Sequence, residues 1–349
     1  MSEIIKIIRT KREDRTNKDL WLVWNKLLDA PFISIRKSSK VVNDILDRLL
    51  FTSKSRIMSY EFCQTTFKYS YIFGINPPQQ EFYRKIGGNL HYVMEILYNY
   101  VNVDDIIKLR NIKNYIYNLI YSLIPEKFSD RIFNYIDVMV KNIALFEDSK
   151  VQRIRTTGGL TKENLERYYY PIKEERELGI ENYITYECGK VDATYNIYNE
   201  DTGKDSILVV DYKFGVPKYM DTYIYAERSI RKEVCFYKRL MKEAGSMYID
   251  KDGNMQLFQR READYGMIIY FQDLRTAKAF KMEPGDYYDL SITINKYWDS
   301  IENNSFNQIH GAQEWCMDRC PYFWKYCYPY ENKWKILRSM GNIFSEQET

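Results

Sequence analysis

Residues 208–215, LVVDYKFG, place an acid and a lysine two positions apart directly after an apolar run. Side chains two apart on a β-strand project from the same face, so Asp211 and Lys213 should lie side by side. Such a pair is compatible with an ordinary surface ion pair. Because LVV is typical of a buried strand, the pair is equally compatible with a strand end that opens into a cleft and takes part in metal-dependent chemistry.

A second acid, Asp192 in GKVDATY, precedes Asp211 by nineteen residues, and the polar turn NEDTGKDS lies between them. Two strands joined by a turn can pair as neighbours, which would bring the two carboxylates together. Neighbouring carboxylates repel unless a cation lies between them, and Mg²⁺ and Mn²⁺ prefer oxygen ligands. Such an ion can lower the pKa of water and stabilise a phosphorane-like transition state, while Lys213 orients the water or neutralises the phosphate.

His91 is one of two histidines, with His310, and it follows two glycines in GGNLHYVME. The glycine pair predicts the start of a helix, with Glu95 one turn beyond His91 on the same face. A histidine on a helix is often a structural residue. A glycine pair also lets another backbone or a ligand approach, which favours a functional role for His91.

The chain has six cysteines, and three of them, Cys316, Cys320 and Cys327, lie within the segment WCMDRCPYFWKYC. We expect a cytoplasmic protein, in which structural disulfides are rare. The cluster therefore favours a metal site over a redox pair. Cys188 and Cys235 fall in a predicted strand and a predicted helix and are expected to be buried thiols.

The composition describes a globular chain of one large or two ordinary domains, with 349 residues, 45% hydrophobic and 28% charged. Its net charge of +3 gives no overall attraction to a polyanion. Three local basic clusters, RTKREDR, KVQRIR and RSIRKE, are either solvated faces or parts of a groove for a phosphate backbone. No apolar run is long enough to span a bilayer and the first residues do not resemble a signal peptide, so we expect no membrane contact.

Hydrophobic periodicity predicts an α/β protein with a helical insertion. Helices are expected at 17–30, at 40–51, from the glycine pair onwards, and through most of 102–150 with breaks near Pro125 and Asp130. Beyond residue 165 the segments rich in Tyr, Ile, Val and Thr predict strands, up to residue 215 and again at 265–273 and 277–283. Two further helices are expected at 226–244 and 286–303.

Four motifs, GGNLHYVME, GKVDATY, LVVDYKFG and EVCFY, occur in this order. Together they resemble the PD-(D/E)XK nuclease superfamily in its RecB-like branch. By this resemblance the metal ligands are His91, Asp192, Asp211 and the main-chain carbonyl of Tyr212. Lys213 is then the catalytic lysine, Tyr237 fills the tyrosine position of the last motif, and Glu233 stands where glutamine is usual. Glu175 matches an acid of the preceding strand, with Glu174 and Glu177 as alternatives.

The cysteines are similar to those of AddB-type nucleases and of RecB relatives in CRISPR adaptation. Those proteins carry a 4Fe–4S cluster bound by one cysteine before the histidine motif and three near the C-terminus. The resemblance implies Cys63, Cys316, Cys320 and Cys327 as ligands. The spacing C-x3-C-x6-C is one residue longer in each gap than in those relatives, so zinc and an unmetallated cysteine group remain alternatives.

The resemblance implies a restriction-endonuclease-like core, a mixed central sheet flanked by helices, with a helical insertion and an iron–sulfur-stapled C-terminus. The nuclease domain is expected at 59–335, between a helical extension at 1–58 and a tail at 336–349. Within it we expect the helical insertion at about 102–165, the catalytic core at about 166–245 and the cysteine segment at 314–330.

The implied activity is Mg- or Mn-dependent hydrolysis of DNA, by an exonuclease acting on ends or single strands in recombination, repair or phage DNA processing. A helicase or a recombinase is the expected protein partner, and the location is the cytoplasm, that of the host if the gene is viral. Two alternatives remain, a non-catalytic nucleic-acid-binding or assembly module that retains the fold, and a nuclease that acts on RNA.

Overall fold

The computed structural model of the protein describes residues 3–28, 38–75, 78–125, 130–172, 179–182, 186–200, 202–215, 223–242, 247–249, 255–257, 263–274, 277–306, 320 and 322. The chain separates into two compact units. The terminal unit is Met1–Gln80 with Ser291–Thr349, and the central unit is Glu81–Leu290. The domain limits expected from the sequence remain a prediction.

The terminal unit begins with short helices, four of which have side-chain caps. They are α1 (Glu3–Arg9), α2 (Asn17–Val23), α3 (Ser39–Leu49), α4 (Lys54–Phe62) and α5 (Gln64–Phe67), with a short strand β1 (Thr52–Ser53) and π-helical turns at Trp24–Leu28 and Lys68–Ile72. Thr16 caps α2, because its hydroxyl accepts from the Asp19 amide while the Asp19 carboxylate accepts from the Thr16 amide. This capping box explains why the predicted helix at 17–30 starts at Asn17.

The basic cluster RTKREDR serves packing within the terminal unit. Arg12 pairs with Asp44 at 3.0 Å and with Asp47 at 2.9 Å. Arg15 is buried and donates to Asp47 at 2.7 Å and to Asn43 at 3.0 Å. These arginines therefore hold α3, and a groove for a phosphate backbone at this cluster stays a prediction.

The helices in the described part of the central unit are α6 (Pro78–Tyr100), α7 (Val103–Lys108), α8 (Lys113–Leu123), α9 (Asp130–Thr157), α10 (Lys162–Tyr168), α11 (Tyr223–Lys242) and α12 (Pro284–Asn303). The first three residues of α6 and the end of α12 belong to the terminal unit. Helix α8 ends at Leu123 and α9 starts at Asp130, which confirms the breaks expected near Pro125 and Asp130. None of the described helices is both long and apolar enough to cross a membrane.

Helix α6 begins earlier than the sequence suggested. The glycine pair Gly87 and Gly88 lies inside it, so the prediction that these residues open the helix was wrong. Pro78 occupies the first helical position, where its fixed φ is already suited to a helix and its missing N–H costs nothing. This start signal prevails over two interior glycines, each of which costs the helix about 1 kcal/mol relative to alanine.

The described strands of the central unit form two groups. They are β2 (Gly179–Asn182), β3 (Glu187–Lys190), β4 (Ala193–Asn199), β5 (Lys204–Lys213), β6 (Met247–Ile249), β7 (Met255–Leu257), β8 (Tyr265–Tyr270) and β9 (Phe280–Lys281). One sheet has the order β4–β5–β8–β9 and is mixed, since β5 and β8 are parallel and the other pairs are antiparallel. In the second group β2 pairs with β3 and β6, and β6 with β7, all antiparallel.

Strand β5 separates two environments. Leu208, Val210 and Tyr212 point into the main hydrophobic core, which α6 and α9 cover with residues such as Leu97 and Val140. The alternate side chains of Asp211 and Lys213 point the other way and contact α11. The period of two along the strand thus keeps the charged pair out of the apolar core.

Candidate active site

Asp192 lies in a two-residue connection between strands of different sheets. The chain leaves β3 at Lys190 and enters β4 at Ala193, so Asp192 lies just outside the strand predicted for it. Ala193 pairs with Val210, which places Asp192 beside Asp211 on the neighbouring strand. The main-chain N–H of Tyr212 donates to Asp192 Oδ2 at 2.8 Å and fixes the orientation of this carboxylate.

Helix α6 brings His91 to the same connection. His91 Nδ1 lies 3.6 Å from Asp192 Oδ1, and the imidazole packs edge-on against Phe214. One turn further along α6, Glu95 pairs with Lys190 at 3.0 Å. The helix is therefore tied to residues 190–192 at two points, and His91 and Glu95 share a face as the sequence predicted.

Asp211 is enclosed by groups from β5 and α11. Lys213 Nζ lies 2.5 Å from Asp211 Oδ2 and 3.1 Å from Glu233 Oε2. The Tyr237 hydroxyl donates to Asp211 Oδ1 at 3.1 Å. Glu233 and Tyr237 are four residues apart on α11, so the helical repeat presents both to the same strand.

The cluster carries an excess of negative charge. The carboxylates of Asp192, Asp211 and Glu233 have side-chain exposures of 15%, 2% and 13%, and those of Asp211 and Glu233 share the ammonium group of Lys213. Like charges in such a poorly solvated place raise the free energy unless a cation is shared between them. Burial, and then the charges of Asp211 and Asp192, raise the pKa of Tyr237, so its hydroxyl remains a neutral donor.

The donor types suit a hard divalent cation. Imidazole and carboxylate are ligands that Mn²⁺ accepts, and carboxylate oxygens suit Mg²⁺. Asp192 uses one oxygen for the Tyr212 amide and directs the other towards His91. In the part of the chain that the structure describes, no three His, Cys, Asp or Glu side chains form a group able to hold a metal. Lys213 neutralises Asp211 in this arrangement.

Comparison with protein families identifies the class of the chain. A family model of the PD-(D/E)XK nuclease superfamily matches residues 52–327. The chain therefore belongs to this superfamily, whose members are in general nucleases that act on nucleic acid and typically use Mg²⁺ or Mn²⁺. Its helices and mixed sheets are consistent with a restriction-endonuclease-like fold. Searches of curated proteins and of solved structures found no match.

Two of the four predicted cluster cysteines lie in the described part of the terminal unit. Cys63 and Cys320 are both buried, and both approach Thr66. The Thr66 amide donates to Cys63 Sγ at 3.5 Å, and the Thr66 hydroxyl lies 4.0 Å from Cys320 Sγ. Two sulfurs separated by more than 250 positions in sequence are thus brought to one threonine.

Several predicted residues fall outside the described residues, namely Cys316, Cys327, Glu174, Glu175, Glu177 and His310. Cys235 is buried in α11 as expected, and burial raises the pKa of its thiol to about 12. Cys188 is only half-buried in β3, which corrects the expectation of a core thiol.

The other two basic clusters also serve structural roles. In KVQRIR, Lys150 pairs with the fully buried Glu147, and Arg155 donates to the carbonyl groups of residues 109 and 110. In RSIRKE, Arg231 makes a two-point pair with Asp286. The sequence contained Glu147 three residues before Lys150, a spacing that signals a pair on one helix face. What the periodicity did not reveal is that this face is buried.

Proposed function

We propose that the protein is a Mg²⁺- or Mn²⁺-dependent deoxyribonuclease. It hydrolyses DNA phosphodiester bonds as an exonuclease on ends or single strands, in recombination, repair or phage DNA processing. The observation that supports this most strongly is the convergence of His91, Asp192, Asp211 and Lys213, which come from distant parts of the sequence, at one end of β4 and β5.

The proposed ligands of the ion are His91, Asp192, Asp211 and the main-chain carbonyl of Tyr212. Glu175 is a further candidate from the resemblance. When bound, a divalent ion supplies Lewis acidity that lowers the pKa of water and stabilises negative charge on the phosphate. The negative charge of the three carboxylates favours its binding, and the Tyr212 amide holds Asp192 in position.

The remaining groups support Lys213 and Asp211. In our proposal the Lys213 ammonium group orients the attacking water or neutralises charge that develops on the phosphate. Glu233 holds the ammonium group from the α11 side, in the position where glutamine is usual in the family. Tyr237 donates to Asp211 and restricts the orientation of its carboxylate, so that one oxygen is directed towards Lys213.

A helicase or a recombinase is the proposed partner. The chain contains no GxxxxGK[ST] nucleotide-binding loop. If the nuclease acts on duplex DNA beyond its ends, strand separation therefore needs a motor other than residues 1–349.

A 4Fe–4S cluster bound by Cys63, Cys316, Cys320 and Cys327 is part of the proposal, with zinc as the alternative metal. The contact of Cys63 and Cys320 with the same Thr66 supports a shared thiolate site. Thiolates from both ends of the family domain would close the terminal unit on itself.

The activity test uses linear DNA labelled at both ends, incubated with Mg²⁺ or Mn²⁺. We expect the wild type to degrade it and Lys213→Ala and Asp192→Asn to lose at least about 100-fold in rate. Lys204→Ala is the matched control, because Lys204 is an exposed lysine at the other end of β5. It should cleave like the wild type.

The products distinguish the alternatives. Mononucleotides released from one label identify an exonuclease and its polarity. Cleavage of labelled RNA in place of DNA would identify an RNA-directed nuclease. Binding of DNA without cleavage by the wild type would overturn the enzymatic proposal in favour of a non-catalytic module.

A further inference from the structure

Three buried tyrosines form a continuous chain of hydroxyl groups inside the central unit. Tyr98 and Tyr195 oxygens lie 2.7 Å apart, and Tyr195 and Tyr212 oxygens lie 2.6 Å apart. All three residues are at most 5% exposed. We call this arrangement the tyrosine chain.

A buried ion pair ends the tyrosine chain. The Tyr98 hydroxyl donates to Glu147 Oε1 at 2.8 Å, and Lys150 Nζ donates to the Tyr98 oxygen at 3.0 Å. Lys150 also pairs with Glu147 at 3.1 Å and lies 4.3 Å from the centre of the Tyr195 ring. Burial lowers the pKa of Lys150, and the charge of Glu147 opposes this shift.

The hydrogen bonds of the tyrosine chain are all donated in the same direction, towards Glu147. A phenol has one O–H group that can donate a hydrogen bond, and Tyr98 uses it to donate to Glu147. Tyr98 therefore accepts from Tyr195, and Tyr195 accepts from Tyr212. Each bond thus strengthens the next, with the carboxylate of Glu147 as the final acceptor.

Each tyrosine lies on an element that carries a proposed metal ligand or directly follows one. Tyr98 lies two turns beyond His91 on α6. Tyr195 follows Asp192 by three residues at the start of β4, and Tyr212 follows Asp211 on β5. The three elements that carry or directly follow the proposed ligands are therefore bonded to one another behind the site.

Tyr212 joins the tyrosine chain to the site directly. Its side chain ends in the core at the Tyr195 hydroxyl, while its amide donates to Asp192 Oδ2. A shift of the phenol would move the amide that orients Asp192. Phenylalanine would fill the same core space without the cost of burying a hydroxyl, so packing alone does not account for three tyrosines.

We propose that the tyrosine chain is a positioning device for the metal site, and that Tyr98, Tyr195 and Tyr212 are positioning residues. It holds α6, β4 and β5 at fixed distances and so limits how far His91, Asp192 and Asp211 can move relative to one another. This inference rests on the proposed function, since it assigns a role towards the same site. Groups that orient metal ligands typically change metal affinity by about 10- to 100-fold.

The test measures Mn²⁺ binding by calorimetry or electron paramagnetic resonance, without DNA. Tyr195→Phe interrupts the tyrosine chain at its centre, and we expect the Kd for Mn²⁺ to rise about 10-fold or more. Tyr212→Phe, which leaves the Tyr98–Tyr195 bond in place, is the second variant if Tyr195→Phe folds poorly. Hydrogen exchange of the Tyr212 amide should be faster in both variants.

Tyr121→Phe is the matched control. The Tyr121 hydroxyl donates to Asp137 at 2.9 Å, a bond between α8 and α9 with no link to the site. This variant should lose stability without a change in the Kd for Mn²⁺. Wild-type Kd values in Tyr195→Phe and Tyr212→Phe, with intact cleavage by the wild type, would overturn the positioning role alone. A wild type that binds no Mn²⁺ would overturn the proposed function, and the positioning role with it.

Discussion

Lys213 on β5 is held by Glu233 on α11, with 3.1 Å between Nζ and Oε2. Lys213 thus has a carboxylate partner on β5, Asp211, and a second one on α11, Glu233. Glutamine keeps a hydrogen-bond acceptor at this position but removes one of the three negative charges of the cluster. Alanine removes both.

We therefore expect Glu233→Gln to keep nuclease activity within about 10-fold of the wild type and Glu233→Ala to lose more. The Glu233→Gln variant should also need more Mn²⁺ for half-maximal rate, because the site is less negative. Initial rates measured against metal concentration test both points. Equal rates for the two variants would show that Glu233 does not hold Lys213 in the active state.

The Tyr237 hydroxyl is the neutral donor to the buried Asp211 carboxylate. Tyr237→Phe should lower the free energy of unfolding by about 1.5 to 3 kcal/mol, the usual contribution of a hydrogen bond to a buried charge. Urea denaturation measures the change, and Tyr288→Phe, at a tyrosine that is 69% exposed, is the control. Equal stabilities of the two variants would contradict the assigned bond.

Substitution by alanine should change the stability in opposite directions at two glycines of the central unit, Gly88 and Gly266. A Cβ at Gly88 meets none of the described atoms within 4 Å, so Gly88→Ala should stabilise α6 by about 0.5 to 1 kcal/mol. A Cβ at Gly266 would lie 2.2 Å from Val234 Cγ1, so Gly266→Ala should destabilise the protein by about 1 to 3 kcal/mol. Thermal unfolding of both variants decides the signs.

Alkaline pH should destabilise the central unit. Burial raises the pKa of Tyr98, Tyr169, Tyr195, Tyr212 and Tyr237. In the unfolded chain these phenols ionise near pH 10, so above this pH the unfolded state binds fewer protons than the folded state. Each such tyrosine then removes about 1.4 kcal/mol of stability per pH unit.

Lys150 changes the pH dependence of stability in the opposite direction, but over a lower pH range. Its folded pKa is lowered, so stability rises with pH only until the unfolded lysine loses its proton near pH 10.4. Urea titrations across this range should show stability falling steeply above about pH 10. A constant free energy of unfolding up to about pH 11 would contradict the raised tyrosine pKa values.

Protein purified without oxygen should be brown and contain iron if the cysteines bind a 4Fe–4S cluster. Cys320→Ser should lose the iron, the colour and part of the stability. Cys188→Ser, at a half-buried cysteine of β3 in the central unit, should keep all three. Colourless protein with one zinc per chain would exclude the iron–sulfur assignment in favour of zinc.

Local features of β5 could be predicted from the sequence better than the way in which its neighbours pack around it. The alternation along β5 follows from LVV and a period of two, and the structure confirms that Asp211 and Lys213 share a face. The start of α6 could not be predicted, because a proline and a glycine pair gave competing signals. The switch between sheets at 191–192 was missed because the residues on both sides of it, ECGK and ATYNIYN, have the composition of strands and read as one continuous segment.

The sequence pattern also did not predict which charged side chains are buried. KVQRIR has the composition of a solvated helix face, yet Lys150 and Glu147 lie among tyrosine rings. Their partners come from α6 and β4, more than forty residues away. Pairing at such separations depends on how the helices pack, which local periodicity does not encode.

The crossing from β3 to β4 is only two residues long, and this shortness couples the two groups of strands mechanically. Because only residues 191 and 192 connect the two strands, a displacement of β3 would also move Asp192. A single inserted residue would reverse the direction of the acidic side chain, since each added position turns a strand by half a turn.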